Sequence, residues 1–338
     1  MIKEAFHKIL EHKDLEKREA YEAMSEIMSG NASEPLIASF LVSLRMKGET
    51  VAEIAGCAQA MREKATHIES KRDGVIDTCG TGGDGTGTFN ISTGAAFVAA
   101  GAGAVVAKHG NRAISSRAGS ADVLKALGVN IEIPKEKVEQ CLNEVGIAFL
   151  FAPALHGAMK YAGPVRKELG TRTVFNILGP LTNPAGAKRQ VIGVFNPQLT
   201  EPLANVLKEL GSERALVVHG AGGLDEISTL GATRVSELKN GQVATYEFHP
   251  ASAGLAEGDL SALKGADAET NAAILKSIFD GKKSHQRDIV VLNAGAALYV
   301  AGLALTIKEG VVLAGDAVDS GKAKKKLDAM IEMTNHGG

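Results

Sequence analysis

Cysteine is scarce in this sequence of 338 residues, which contains only Cys57, Cys79 and Cys141. The number is odd, and no two of them stand at the short spacing typical of a zinc site. Secreted domains held by disulfides carry a larger and even set of cysteines. The sequence therefore argues against a disulfide framework or a zinc site, and it favours the reduced environment of the cytoplasm.

An excess of charge of one sign is also lacking. Lys and Arg total 37 against 39 for Asp and Glu, which gives a formal net charge of -2. Proteins that bind nucleic acids or acidic membranes over a broad surface carry a clear positive excess. We therefore expect no nucleic-acid partner.

Apolar segments of the kind found in secretory signals and membrane spans are missing as well. The first 20 residues carry charges in every helical turn and contain no apolar core. The longest apolar stretch, residues 289–305, is rich in Ala and Gly and is interrupted by Asn293. We expect a buried helix of a soluble protein here, no membrane partner, and a hydrogen-bond partner for the Asn293 side chain.

Helical patterns fill the sequence up to about residue 64, with apolar residues at helical spacing. Thr50 and Glu53 have the form of a capping box, and Gly30 and Gly48 stand where helices should end. The polar stretch 70–74 predicts a linker between two domains.

Short apolar strands alternate with helices from Val75 onward, and this order predicts a mostly parallel sheet. The predicted strands are VIDTC, AVVAKH, NIEI, IAFLF, QVIGVF, RALVVHG, RVSELK and VATYEF. The predicted helices are 92–101, one from Ser120, EKVEQCLNEVG, 200–210, 270–280, 288–306 and KAKKKLDAMIEM. The fold class is α/β, with a small N-terminal helical domain at 1–70, joined by helices from about 154–185, and an α/β domain at 75–338.

The segment GTGGDG at 80–85 matches the glycine spacing of dinucleotide-binding folds. Those folds need a helix directly after the glycines and an acid at the end of the next strand to hold a ribose. Here TGTFN separates the glycines from the helix, and Lys108 and His109 stand where the acid belongs. Glycine amides, a helix N-terminus and the hydroxyls of Ser92 and Thr93 suit an oxyanion. The loop therefore predicts a sugar phosphate or pyrophosphate as ligand.

Two further loops carry charge after predicted strands. The loop 108–128 holds Lys108, Arg112 and Arg117 among serines, and adjacent loops at the carboxyl ends of parallel strands form a ligand crevice. The loop HGAGGLDEISTLG places Asp225 beside Glu226, which suits Mg²⁺ shared between carboxylates and substrate phosphates. Taken alone, each loop is also compatible with a solvated charged turn.

Four segments together resemble the signatures of the anthranilate phosphoribosyltransferase family. They are DTCGTGGDGTGTFNIST, KHGNRAISSRAGSADVLKALG, GPVRKELGTRTVFNILGPLTNPA and GLDEIS, in this order between residues 77 and 228, and the likeness runs over nearly the whole chain. The resemblance implies a helical domain hinged to an α/β domain of the nucleoside phosphorylase/phosphoribosyltransferase type, and a homodimer formed through the helical domain. Two departures are small: Arg117-Ala118 replaces an expected Lys-Ser, and Gly157 follows His156 where Pro is frequent.

The resemblance also implies an activity, the transfer of the phosphoribosyl group of phosphoribosyl pyrophosphate to the amine of anthranilate in tryptophan biosynthesis. Two magnesium ions would serve as cofactor, held by Ser92, Asp225 and Glu226. Catalytic roles fall to Lys108, Arg166, Asp225 and Glu226. Phosphoribosyl pyrophosphate would contact Gly80, Thr81, Gly83, Asp84, Thr88, Asn90, Ile91, Ser92, Thr93, Lys108, His109, Gly110, Asn111 and Ser120. Anthranilate would contact Gly80, His109, Asn111, His156, Arg166, Gly179 and Pro180.

Two alternatives remain open at this point. A nucleoside phosphorylase of related fold would use a nucleobase and phosphate, but its loop pattern differs from KHGNRAISS. A non-catalytic homologue that binds nucleic acid would show degraded loops and a basic groove, whereas here the loops are intact and the charge is near neutral.

Overall fold

The computed structural model of the chain describes residues 1–113 and 117–336. Its N-terminal part consists of helices α1 (Ile2–Leu10), α2 (Lys17–Met28), α3 (Glu34–Lys47) and α4 (Val51–Lys64). The predicted capping box is confirmed, because Thr50 Oγ1 accepts from Glu53 N and the Glu53 carboxylate accepts from Thr50 N. Gly48 ends α3 with a φ of 93°, a left-handed conformation that favours glycine.

A seven-stranded sheet forms the second part of the molecule. Its strands are β1 (Ile76–Gly80), β2 (Val106–Gly110), β3 (Ile147–Phe151), β4 (Arg189–Gly193), β5 (Arg214–Gly220), β6 (Thr233–Lys239) and β7 (Gln242–Phe248). They lie in the order β3-β2-β1-β4-β5-β6-β7. The first five are parallel and the last two antiparallel, which confirms the predicted mostly parallel sheet.

The remaining helices cover the two faces of this sheet. They are α5 (Ile91–Gly101), α6 (Ser120–Ala126), α7 (Lys135–Gln140), α8 (Ala152–Leu155), α9 (Gly163–Leu169), α10 (Phe175–Leu178), α11 (Thr200–Glu209), α12 (Ala268–Phe279), α13 (His285–Ala301), α14 (Ile307–Asp319) and α15 (Lys322–Asn335). A π-helical turn, Cys141–Val145, continues α7.

Two large apolar cores result, one on each face of the sheet. On one face α5 and α13 pack against β1 and β2. On the other face, Ile192 and Val217 of the sheet share a core with Phe40 of α3 and with Val165 and Phe175 from α9 and α10. The segment 154–185 therefore packs with the N-terminal helices, on the sheet face that they cover.

Three expectations about elements were wrong. The segment NIEI is no strand, although Val129 and Ile131 are buried, because their side chains fill the core while the backbone joins no ladder. The helix expected at 288–306 ends at Ala301, where Gly302 adopts a left-handed φ of 81°. Helix α14 was missed, although Thr306 Oγ1 accepts from Glu309 N and so caps its first turn.

Asn293 in α13 has the hydrogen-bond partners that the sequence required. Its Oδ1 accepts from Ile227 N at 2.9 Å, and its Nδ2 donates to the carbonyls of Ile227 and Ile289 at 2.9 Å each. Within residues 1–113 and 117–336, no helix is both long and apolar enough to cross a membrane. The three cysteines are free, as expected.

Candidate functional site

The strand order creates a crevice at the carboxyl end of the sheet. The chain moves from β1 to β2 on one side of β1, whereas β4 pairs with β1 on the other side. Loops that leave neighbouring strands in opposite directions open a space between them, and open α/β sheets bind ligands there. The glycine-rich loop follows β1, the loop 111–119 follows β2, and the loop 221–232 follows β5.

Asp225 lies directly over the ends of the two central strands. Gly80 and Gly193 are paired in the register of β1 and β4. A Cβ on Gly193 would overlap the Asp225 backbone carbonyl, and one on Gly80 would meet the Asp225 carboxylate. These two glycines therefore let the loop after β5 close over the strand ends. Sequence reasoning missed Gly193, whose signal is a glycine inside the predicted strand QVIGVF.

The two adjacent acids accept backbone hydrogen bonds from the glycine-rich loop and from the start of α5. Asp225 Oδ2 accepts from Gly82 N at 2.8 Å, and Glu226 Oε1 accepts from Ser92 N at 3.0 Å. Desolvation raises the pKa of both carboxyl groups well above the usual range. The neighbouring charges act in the same direction, with Asp84 raising the pKa of Asp225 and Asp225 raising that of Glu226. Two carboxyl groups held in this way favour the binding of a cation, which would lie between the carboxylates and a ligand.

Lys108 supplies the positive charge that faces these acids. It is buried in the middle of β2, where its Nζ donates to Thr78 O at 2.6 Å and to Ser92 Oγ at 3.3 Å. Its charge lowers the pKa of Glu226 and opposes the effect of desolvation. In the part of the chain that the structure describes, no carboxylate lies within ion-pair distance of Lys108 Nζ. The ammonium group is therefore free to meet an incoming anion.

The side chains of the crevice suit magnesium better than a metal ion whose ligands all come from the protein. No cluster of three or more His, Cys, Asp or Glu side chains suited to a metal occurs among the described residues. Two carboxylates and the Ser92 hydroxyl, next to a glycine-rich phosphate loop, match an ion that completes its shell with water and substrate phosphates. Asp225, Glu226 and Ser92 would hold it.

Polar contacts join the first loop to the second, and hold the second loop together. Asn90 Nδ2 donates to Ala118 O at 3.2 Å, and Ser120 Oγ donates to Asn111 O at 3.3 Å. Asn271 of α12 donates to Asn90 Oδ1 at 3.0 Å. The structure thus brings the predicted residues Asn90, Asn111 and Ser120 together. Ser115 and Ser116 of the second loop lie outside the described residues.

A pair of buried histidines forms another part of the site. The rings of His109 and His156 lie 5.0 Å apart between centroids. Burial lowers the pKa of His109 to about 3 and that of His156 to about 4, so both rings are neutral at physiological pH. Among residues 1–113 and 117–336, neither Nε2 atom has a hydrogen-bond partner. Two unpartnered buried nitrogens indicate a place for a polar ligand group.

Arg166 of α9 holds a guanidinium without an ion-pair partner among the described residues. Its Cζ lies 5.1 Å from the centre of the Phe175 ring, and burial lowers its pKa. A partly desolvated guanidinium of this kind favours a carboxylate ligand. Gly179 and Pro180 begin the 3₁₀ turn Gly179–Leu181 that follows α10.

The other predicted residues line or support the glycine-rich loop. Thr81 N donates to Gly193 O at 2.9 Å, and Asp84 accepts from both Thr86 N and Thr86 Oγ1. Gly83 lies in the loop, and Thr88 forms an isolated bridge with Lys264. Ile91 and Thr93 are buried at the start of α5, and Gly110 ends β2.

Sequence reasoning missed one further residue at this loop. Arg172 donates to the Gly83 carbonyl, and its Cζ lies 3.8 Å from the centre of the Phe195 ring. The segment between α9 and α10 therefore holds the glycine-rich loop from outside. No spacing rule links Arg172 to Gly83, because 89 positions separate them.

Comparison with known proteins gives matches over nearly the whole chain. The α/β domain of a glycosyl transferase family matches residues 72–324, and the helical bundle domain of such a family matches residues 3–65. An anthranilate phosphoribosyltransferase of Acetivibrio thermocellus is 56% identical over 335 residues, which cover 99% of this chain and 97% of that protein.

Solved structures give the same picture. The crystal structure of anthranilate phosphoribosyltransferase from Thermus thermophilus superimposes with a TM-score of 0.94 at 47% identity, covering 98% of this chain and 99% of that chain. The Saccharomyces cerevisiae enzyme in complex with PRPP and Mg has a TM-score of 0.89 at 29% identity, covering 98% and 97%.

Proposed function

The chain belongs to the anthranilate phosphoribosyltransferase family, and we propose that the crevice above β1, β2 and β5 is where it carries out the reaction of that family. It transfers the phosphoribosyl group of phosphoribosyl pyrophosphate to the amine of anthranilate and releases pyrophosphate, a step of tryptophan biosynthesis. The observation that supports this location most strongly is the convergence of Lys108, Asp225 and Glu226 beside the glycine-rich loop.

The reaction depends on magnesium, and we propose two ions, held by Asp225, Glu226 and Ser92. When bound, magnesium offsets the charge that develops on the leaving pyrophosphate. The carboxylates are held towards the crevice by Gly82 N and Ser92 N, which fixes them before a ligand arrives.

Phosphoribosyl pyrophosphate would lie against the glycine-rich loop and the start of α5. Lys108 Nζ, between Thr78 O and Ser92 Oγ, would donate to a phosphate oxygen of the leaving group. Backbone amides of the loop and the α5 N-terminus stabilise the same charge without reorganisation. The full proposed set is Gly80, Thr81, Gly83, Asp84, Thr88, Asn90, Ile91, Ser92, Thr93, Lys108, His109, Gly110, Asn111 and Ser120.

Anthranilate would lie against the histidine pair, with its carboxylate on Arg166. Neutral His109 and His156 offer polar atoms and flat walls without adding charge. Gly80, Asn111, Gly179 and Pro180 complete the proposed set.

The amine attacks the ribose C1 with inversion, through an oxocarbenium-like transition state. An aromatic amine already presents its lone pair, so no obligatory general base is required, and the low pKa of both histidines suits them poorly to that task. Positioning would supply much of the rate. We propose that residues 1–70, with helices from 154–185, close against the α/β domain about the linker 70–74 and exclude water.

The proposed assembly is a homodimer in the cytoplasm, formed through the helical domain. Leu10 and Met46 are large apolar side chains exposed on α1 and α3, which supports a protein partner for that surface.

Loss of anthranilate fluorescence on addition of phosphoribosyl pyrophosphate and Mg²⁺ tests the activity directly. We expect turnover with both additions and none when either is withheld. Folded protein that leaves the fluorescence unchanged, or that instead cleaves thymidine with phosphate, would contradict the assignment in favour of the nucleoside phosphorylase alternative.

The role of Arg166 is tested by Arg166→Ala. We expect the Michaelis constant for anthranilate to rise about 10- to 100-fold, because one charge-assisted pair to the carboxylate is lost. Lys167→Ala, an exposed cation of the same helix, is the matched control and should leave this constant unchanged. An unaltered anthranilate constant in Arg166→Ala would count against the pairing.

A further inference from the structure

Two buried polar side chains hold the backbone of His109 and Pro180, two residues proposed to contact anthranilate, and take no part in the mechanism above. We propose that Asp77 and Gln190 are positioning residues, which set where the segment 179–183 and the two histidines stand relative to Lys108. This inference deepens the proposed function and rests on it.

Asp77, the second residue of β1, contacts both His109 and the segment 179–183. It is 0% exposed, and its Oδ1 accepts from His109 N at 3.1 Å. Its Oδ2 accepts from Asn183 Nδ2 at 2.8 Å. One carboxylate therefore fixes the backbone of His109 and the far end of the segment 179–183 at the same time.

Gln190 holds the near end of that segment. It is also 0% exposed, and its Nε2 donates to Pro180 O at 2.8 Å. Gln190 is the residue of β4 that pairs with Asp77 of β1, and paired residues of neighbouring strands point to the same face of a sheet. The two side chains thus bind the segment 179–183 from the same face of the sheet, Gln190 at Pro180 and Asp77 at Asn183.

Asn183 can take only one orientation in this arrangement. Its Nδ2 donates to Ala107 O at 2.8 Å as well as to Asp77, and its Oδ1 accepts from Ala185 N at 2.9 Å. Rotating the amide by half a turn would break all three bonds. The segment is therefore fixed in place relative to β1 and β2.

Two backbone carbonyls of the segment 179–183 act on the histidine rings. The Gly179 carbonyl opposes the lowering of the His109 pKa, and the Thr182 carbonyl does the same for His156. A shift of the segment would therefore move the acceptors that orient both rings. A misplacement of about 1 Å is enough to slow a reaction about 100-fold when positioning supplies the rate.

The cost of burying the Asp77 carboxylate also indicates that this residue serves to position the segment 179–183. Burial raises the pKa of Asp77, so its ionised form costs folding free energy, which the Lys108 charge and the bonds from Asn183 and His109 offset only in part. Well-packed apolar side chains often replace buried charges without loss of stability. Directional bonds, unlike apolar contacts, fix where a segment stands.

Gln190→Met and Asp77→Asn test this inference by steady-state kinetics, with Gln198→Met, an exposed glutamine, as the control. Met keeps the length of the side chain and removes the bond to Pro180, while Asn cannot accept from both Asn183 and His109. For both variants we expect the Michaelis constant for anthranilate to rise about tenfold or more and kcat to fall. For Gln190→Met, which leaves His109 untouched, we expect the Michaelis constant for phosphoribosyl pyrophosphate to stay within about twofold.

Thermal unfolding separates this role from a structural one. A lower Tm with kcat and both Michaelis constants unchanged would show that the pair only stabilises the fold, and an equal rise in both constants for Gln190→Met would also overturn the inference. Gln190→Met leaves the Asp77 contacts intact and carries the test if Asp77→Asn does not fold. Failure of the proposed function is distinguishable, because the wild-type protein would then consume no anthranilate.

Discussion

Glu226 is a carboxyl group whose surroundings oppose its charge. Desolvation and the adjacent Asp225 both raise its pKa, while Lys108 and Ser92 N act in the opposite direction. For Glu226→Gln we expect magnesium-dependent turnover to fall about 100-fold or more, because the isosteric amide keeps the shape and removes the charge that holds the ion. The fluorescence assay, run as a magnesium titration, measures this loss.

Stability of the metal-free enzyme provides the control for Glu226→Gln. A raised pKa means that the folded state binds a proton that the unfolded state has lost, so stability decreases as the pH rises above the ordinary carboxyl range. The Gln side chain does not titrate, and the Tm of the variant should therefore exceed that of the wild type by more at pH 9 than at pH 6. Full turnover in a stable Glu226→Gln enzyme would contradict the metal assignment.

At the scale of elements, the beginning of α4 joins three of the four N-terminal helices. The Glu53 carboxylate is fully buried and accepts from Leu15 N at 2.9 Å and from Thr50 N at 2.8 Å. It also pairs with Lys47, whose side chain is 6% exposed. The same carboxylate thus fixes the loop before α2, the end of α3 and the start of α4.

For Glu53→Ala we expect a loss of about 3–5 kcal/mol in unfolding free energy, because two backbone donors lose their acceptor and the buried Lys47 ammonium keeps only Asp14 and the Gly48 carbonyl. Urea denaturation measures it. Glu34→Ala, an exposed acid in the first turn of α3, is the control and should cost less than about 1 kcal/mol. Equal losses in the two variants would show that Glu53 acts only through helix propensity.

Elements with a strong local signal were predictable from the sequence, while their pairing was not. The Thr50–Glu53 box, the strand and loop around GTGGDG, and the acids at 225–226 each carry their own pattern within a few residues. The end of α13 was misplaced because Gly302 lies inside an apolar run that continues through Leu305. A local pattern cannot report at which turn the tertiary structure ends a helix.

At the scale of the whole molecule, the contacts that build the site join distant parts of the chain. Asp77 with Asn183, Gly83 with Arg172 and Gly193 with Asp225 are each brought together by strand order and register. Composition and periodicity do not carry register, so these supporting residues became visible only in the fold. Of the residues named from the motif resemblance, Gly80 lies against Asp225, and Ser92 contacts both Glu226 and Lys108, while the roles of all of them stay predictions.

The exposed apolar side chains of the helical part predict how two copies associate. Met46 is 81% exposed and Leu10 54% exposed, on helices α3 and α1, which pack against each other. Burying such side chains against a second copy gains about 25 cal/mol per Å². We expect the protein to sediment at twice its mass of 35.1 kDa, and Leu10→Asp/Met46→Asp to shift it to the monomer, because each subunit would bury two unpaired charges in the interface.

Leu305→Asp distinguishes this surface from apolar exposure in general. Leu305 is 83% exposed, but it lies between α13 and α14 on the α/β part, away from the proposed interface. The variant should therefore remain dimeric in sedimentation velocity at the concentration where Leu10→Asp/Met46→Asp is monomeric. A dimer that separates on Leu305→Asp and survives Leu10→Asp/Met46→Asp would place the interface on the α/β part instead.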